Sequence, residues 1–313
     1  MNKKRLFMVI RLTIAVIVIF FLYRAFQDAR ATLGAESSFS FRELKLSWLA
    51  LAGVSYGLGL LPMGIYWHRL LHSFGQHPTP GQTLAAFYLG HLGKYVPGKA
   101  MVVVLRTGML KDSGVNPTVA AVSVFAETLT MMAVGAFLAA LILAISFADQ
   151  TWLLGLAIML MLLSGVPTWP SIFRWLVKRM RVTKLDPILE EALQGYTVKT
   201  VMIGWLANVI GWFLLGFSLW ATLCAIPMDP PVGSLLETWL RLTATVCLAI
   251  VAGFLSLLPG GIGVRELVLD ELMVGSFGQV AAIVSAVLLR LIWLMTELII
   301  SGILYMWIKN RRH

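Results

Sequence analysis

The stretch from Leu257 to Glu266 reads LLPGGIGVRE and closes an apolar run that begins near Val246. Pro259 removes a backbone donor, Gly260, Gly261 and Gly263 loosen the chain, and Arg265 and Glu266 follow directly. A helix cannot pass smoothly through such a sequence. In hydrocarbon the freed main-chain groups find no partner, so a break of this kind survives at membrane depth only where protein or a wet cavity covers it.

Composition places the break in a membrane. Of 313 residues, 59% are hydrophobic and 13% charged, against about 25% charged in soluble domains. Mean hydropathy is +0.84. The net charge of +10 is explained by basic residues at the cytoplasmic ends of spans. No basic face interleaved with aromatics accompanies it, which argues against nucleic acid as a partner. Cys224 and Cys247 both lie inside apolar runs, so no disulfide framework is expected. Lys3, Lys4 and Arg5 precede an apolar run to Tyr23 that is longer than a usual signal core. It is read as an uncleaved first span, with Arg11 snorkelling toward the cytoplasm.

Outward from there, hydropathy gives six strong spans, near Phe7–Tyr23, Ser47–Trp67, Val119–Phe147, Trp152–Pro167, Val201–Ala225 and Val280–Ile308. Two further apolar runs are interrupted. One, around 83–110, contains Lys94, Pro97, Gly98 and Lys99; the other, around 235–272, contains the opening motif. The connection 168–199 carries Arg174, Lys178, Arg179, Arg181, Lys184 and Lys199 and is expected in the cytoplasm, together with both termini. That placement requires both interrupted runs to re-enter on the side from which they came. The expected fold is therefore all-α and integral to the membrane, a single polytopic domain of about six spans plus two re-entrant helical hairpins.

The two interrupted runs resemble each other. GKYVPGK at Gly93–Lys99 and LLPGGIG at Leu257–Gly263 each set Pro-Gly after an apolar run and a basic residue just beyond, Lys99 or Arg265. Each is preceded and followed by a full span. With opposite entry sides, segment 47–147 and segment 201–308 form an inverted repeat, a plan by which many transporters place a substrate site between broken helices at the midplane. Glu127 lies thirty positions after Pro97 and Arg290 thirty-one after Pro259. A charge at the centre of a spanning helix costs about 2.5–3.5 kcal/mol on insertion scales, so neither is expected to face lipid. Arg290 and Glu297 are seven apart and share one face of the last helix.

Each candidate has a plainer reading beside the functional one. Lys94, Lys99, Arg106 and Arg265 either hold an anionic headgroup, helped by exposed amides of the broken backbone, or snorkel and only fix depth. Glu127 and Arg290 form either a structural ion pair between the repeats or a gate, and Glu266 neutralises Arg265 or Arg290. Pro97, Gly98, Pro259, Gly260, Gly261 and Gly263 shape hairpin tips or merely kink helices. Trp48, Trp67, Trp152, Trp169, Trp205 and Trp307 read as interface anchors. His68 and His72 have the i, i+4 spacing of a metal pair, but no carboxylate or cysteine lies nearby to complete a site. No nucleophile-and-base set, phosphate loop or dinucleotide fingerprint occurs, so no enzymatic activity, cofactor or metal is expected.

With GKYVPGK followed by Arg106, the Glu127 helix, and LPGGIGVRE with Arg290 downstream, the chain resembles the lysylphosphatidylglycerol synthase/flippase transmembrane family over roughly Phe7–Ile308. Members with a carboxy-terminal soluble domain aminoacylate phosphatidylglycerol and move the product between leaflets. This chain runs to His313 without that domain, so the resemblance implies the flippase-like half. The expected function is translocation of an anionic or phosphate-bearing lipid across the inner membrane, passive or ion-coupled. A non-transporting accessory protein that binds lipid or a membrane glycosyltransferase is the alternative. A membrane lipid, phospholipid or polyprenyl-phosphate-linked, is the expected partner; a homodimer and a membrane enzyme as partner stay open.

Overall fold

The computed structural model describes residues 43–96, 100–146, 151–180, 186–227, 234–256, 261 and 263–310. The expected first span, Phe7–Tyr23, lies outside them. Among the described residues there are eleven α-helices and no strand. They are α1 (Leu46–Ser73), α2 (Pro80–His91), α3 (Ala100–Leu110), α4 (Pro117–Ser146), α5 (Thr151–Gly165), α6 (Pro170–Arg179), α7 (Ile188–Ala192), α8 (Val198–Cys224), α9 (Leu235–Leu255), α10 (Val264–Phe277) and α11 (Gln279–Asn310).

Local chemistry sets several boundaries. α2 starts at a capping box in which the Thr79 hydroxyl accepts from the Gln82 amide and Gln82 accepts from the Thr79 amide, with Pro80 at the first helical position. Thr197 and Ser234 cap α8 and α9 through their hydroxyls, which accept from the Thr200 and Glu237 amides. α4 is preceded by Gly114 at φ 74°, a conformation that favours glycine.

Among the described residues, five helices are long and apolar enough to cross a bilayer: α1, α4, α8, α9 and α11. The set differs from the expected spans in two places. α5, which covers the expected span Trp152–Pro167, has only 15 residues and is not among the five. Leu235–Leu255, expected as the first arm of a hairpin, is a continuous helix of 21 residues, roughly 32 Å long at 1.5 Å per residue. Its counterpart α2 has only 12 residues, roughly 18 Å and well short of a hydrocarbon core of about 30 Å.

α1 and α8 form the central seam. Ser55 donates its hydroxyl to the Leu214 carbonyl at 2.8 Å, and Ser218 donates to the Ala52 carbonyl at 2.8 Å. A Cβ on Gly59 would meet the Gly211 carbonyl oxygen at 3.1 Å, and one on Gly211 would meet the Gly59 carbonyl oxygen at 2.7 Å. The helices run antiparallel and touch backbone to backbone, as small residues allow in membranes. Around the seam, every packed pair of helices within α1–α4 has its equivalent within α8–α11, and the pairs between the two sets match as well.

The described parts of the basic connection, 168–180 and 186–199, are themselves structured. Phe173 and Val177 of α6, with Leu189, Leu193 and Tyr196, pack against Tyr66, Leu70 and Phe74 at the end of α1 and Val119 and Val122 of α4. Outside this small core, Lys178 bonds Glu190 at 2.6 Å, and that hydrogen bond and charge hold the Glu190 carboxyl below its usual range.

Candidate functional site

The chemistry gathers where the α2–α3 and α9–α10 pairs meet α11. Gly93 and Gly90 let the first pair close. A Cβ on Gly93 would lie 2.7 Å from the Val102 amide nitrogen, and one on Gly90 would lie 2.4 Å from Cγ of Arg106. The second pair uses the same device: a Cβ on Gly253 would meet Cγ of Arg265 at 2.5 Å. Gly261 and Gly263 have φ of 68° and 81°, which only glycine adopts freely, and they turn the chain into α10.

Each helix pair is tied to the span that follows it by one ion pair. Arg106 on α3 donates to Glu127 on α4 at 2.7 Å; both are almost wholly buried. Arg290 on α11 donates to Oε1 of Glu266 on α10. The signs are exchanged: in the first half the cation is on the short helix, in the second on the long one. Glu266 also accepts the Gly263 amide at 2.7 Å through Oε2 and so caps α10.

A third pair joins the halves. Lys94, in the 3-10 turn Leu92–Tyr95, bonds Oε1 of Glu297 on α11, and the Tyr56 hydroxyl of α1 donates to the same oxygen. His91 Nε2 lies 3.8 Å away. Tyr56 stacks on Trp293 with ring centroids 4.4 Å apart, and Trp293 is anchored by an indole bond to Ser218 at 2.9 Å.

Arg265 is the odd cation. Its guanidinium lies over the Trp293 ring, 5.1 Å from the centroid, and among the described residues it has no ion-pair partner. Among the described residues, the joint therefore holds the cations Lys94, Arg265 and Arg290 against the carboxylates of Glu266 and Glu297. Buried there without hydrogen-bond partners are Nη2 of Arg290 and Oε2 of Glu297. A positive excess with an open donor in a membrane interior suits an anion.

Set against the sequence reading, the geometry separates the candidates. Lys94, Arg265, Glu266, Arg290 and Glu297 come together at the joint, whereas Arg106 and Glu127 are committed to each other under Trp67 and Phe87, whose rings lie 5.0 and 4.2 Å from the Arg106 guanidinium. Glu127 and Arg290 do not pair: each finds its partner within its own half, because the helix packed against it supplies an opposite charge at closer range. Pro97, Gly98, Lys99, Pro259 and Gly260 lie outside the described residues. Trp67, expected as an interface anchor, is fully buried and donates to Ser123 at 3.0 Å, because its ring covers the Arg106 pair. Tyr56, His91 and Trp293 were not singled out by sequence. The one available signal was polar or amphipathic side chains in otherwise apolar runs.

Comparison with protein families gives a match to the lysylphosphatidylglycerol synthase TM region over residues 8–301. No curated protein matches the chain.

Proposed function

The chain belongs to the lysylphosphatidylglycerol synthase TM region family, a multi-pass membrane domain related to lipid handling, and from that premise we propose that it is a lipid translocase for an anionic or phosphate-bearing lipid. The observation that carries the proposal is Arg265, a cation held at the joint of two broken helix pairs with no carboxylate of its own. A phosphate oxygen supplies what Arg265 lacks, and Lys94, which bonds Tyr56 where that ring stacks on Trp293, is bound to Glu297 until a headgroup competes. Charge-assisted bonds of this sort are roughly twice as strong as neutral ones.

In this reading α1–α4 and α8–α11 are inverted repeats. The antiparallel seam and the matched packing support that arrangement, and the short arms α2, α3 and α10 support re-entrant hairpins. Both termini lie in the cytoplasm of a cell whose inner membrane holds the protein, and movement is passive or ion-coupled. Arg265, Lys94 and Lys99 contact the headgroup; Arg106 and Glu127 brace the first hairpin; Arg290, Glu266 and Glu297 exchange partners as the lipid passes. The chain acts without chemistry on the lipid, so it is not an enzyme.

The test is reconstitution in liposomes with fluorescent phosphatidylglycerol, phosphatidylcholine and a polyprenyl phosphate on the inner leaflet. Transfer of an anionic lipid above the protein-free rate, lost in Arg265→Gln, is the expected result. Failure of all three lipids to cross, with a transporting relative active in parallel, would favour the accessory reading, in which the protein binds lipid or a glycosyltransferase without moving it.

A further inference from the structure

A second place for a lipid lies away from the joint, where α1 ends and α8 begins. A cavity of about 530 Å³ opens there, with His68, Arg69, His72 and Lys199 on its wall and Ile65 and Ile203 toward the middle of the helices. Among the described residues, no carboxylate lines it. His68 is held by the Thr83 hydroxyl at 3.0 Å and His72 by the Pro78 carbonyl at 3.1 Å, so the imidazoles are fixed walls. Arg69 and Lys199 are exposed and, among the described residues, make no ion pair.

We infer that this cavity binds the negatively charged headgroup of a membrane phospholipid. Two cations reach into it from different helices, a geometry suited to a single phosphodiester. A metal ion is a poor fit, because the two histidines have no carboxylate to join them and the neighbouring cations repel it. The apolar continuation selects a lipid over a soluble phosphate. At helical spacing from Arg69, Ile65 and Leu58 follow on α1; from Lys199, Ile203, Leu206 and Ile210 follow on α8. Leu58, Ile65, Leu206 and Ile210 are all exposed, so two acyl chains have a continuous track beneath the headgroup. The same end of the bundle carries the basic connection, which charge assigns to the cytoplasm, where anionic lipids attract Lys and Arg. Arg69 is thirteen residues beyond Tyr56 on one helix, roughly 20 Å from the joint, so the site is separate and does not depend on translocation.

The experiment is native mass spectrometry of the purified full chain, titrated with short-chain phosphatidylglycerol, short-chain phosphatidylcholine or glycerol phosphate, in the wild type, in Arg69→Gln/Lys199→Gln and in Arg265→Gln. Phosphatidylglycerol is expected to bind at least about ten-fold more tightly than the other two probes, and the double variant to lose that preference at one site while Arg265→Gln keeps it there. Because both replaced residues are exposed and unpaired, the melting temperature should be unchanged. The assignment is overturned if phosphatidylcholine binds equally well, if glycerol phosphate alone binds as tightly, or if the double variant binds phosphatidylglycerol like the wild type.

Discussion

The two halves of this protein carry the same parts and use them differently. In the first, Arg106 is packed against Gly90, covered by Trp67 and Phe87, and neutralised by Glu127. In the second, Arg265 is packed against Gly253 and lies over the Trp293 ring, while the adjacent carboxylate, Glu266, is taken by Arg290. One of the two cations is closed off, the other is left over. Similar backbones thus yield a neutralised pair on one side and an unpaired cation on the other, and the difference comes down to which helix carries the carboxylate.

The largest expected effect separates the paired cation from the unpaired one. Glu127→Leu strands a buried arginine, and breaking a buried pair by removing one partner costs about 3–5 kcal/mol. Arg265→Leu removes a cation that has no partner to strand and should leave thermal stability in detergent nearly unchanged. Equal losses in the two variants would erase the contrast.

A smaller effect sharpens it. Gly93→Ala presses a methyl group onto main-chain atoms of Met101 and Val102, at 2.8 and 2.7 Å, and overpacking of this kind costs about 1–3 kcal/mol. Gly253→Ala first meets the flexible Arg265 side chain. Unfolding measurements should therefore rank Gly93→Ala as the more destabilising, and binding of phosphatidylglycerol should fall more in Gly253→Ala.

The smallest effect belongs to the seam. Ser55→Ala removes one hydroxyl-to-carbonyl bond, with a cost of about 0.5–1.5 kcal/mol. Ser218→Ala removes the equivalent bond and also takes the acceptor of the buried Trp293 indole, so it should be the more destabilising of the two in chemical denaturation. Equal losses would show that Ser218 does not hold Trp293 in place.

Much of this was legible in the sequence. Pro-Gly in an apolar run announces a broken helix whatever the fold, and an intramembrane Glu127 or Arg290 announces a buried partner. The identity of the partner was not legible, because Arg106 reaches Glu127 across a helix pair and Glu297 finds Lys94 at a separation of 203 residues. Only tertiary packing decides among several cations of equal reach. Trp67 misled for a related reason: an indole near the end of an apolar run looks the same whether it meets headgroups or covers an ion pair. The length of α9 was likewise hidden, since the run Leu235–Leu258 is apolar under either reading and the break at its end says nothing about how far the helix before it extends.

Glu266 has one further consequence. Its two oxygens serve a helix cap at Gly263 and the guanidinium of Arg290 at once, and Arg265 sits in the turn that the cap begins. Starting a helix is its costly step, so the statistical weight of that first turn depends on the carboxylate staying in place. An anion that draws Arg290 away leaves Glu266 free to hold the cap alone, whereas displacement of Glu266 frays the turn and lets the odd cation swing. Local helix–coil equilibrium and charge are thereby one variable at this corner, and amide exchange at Val264 and Arg265 would report on it directly.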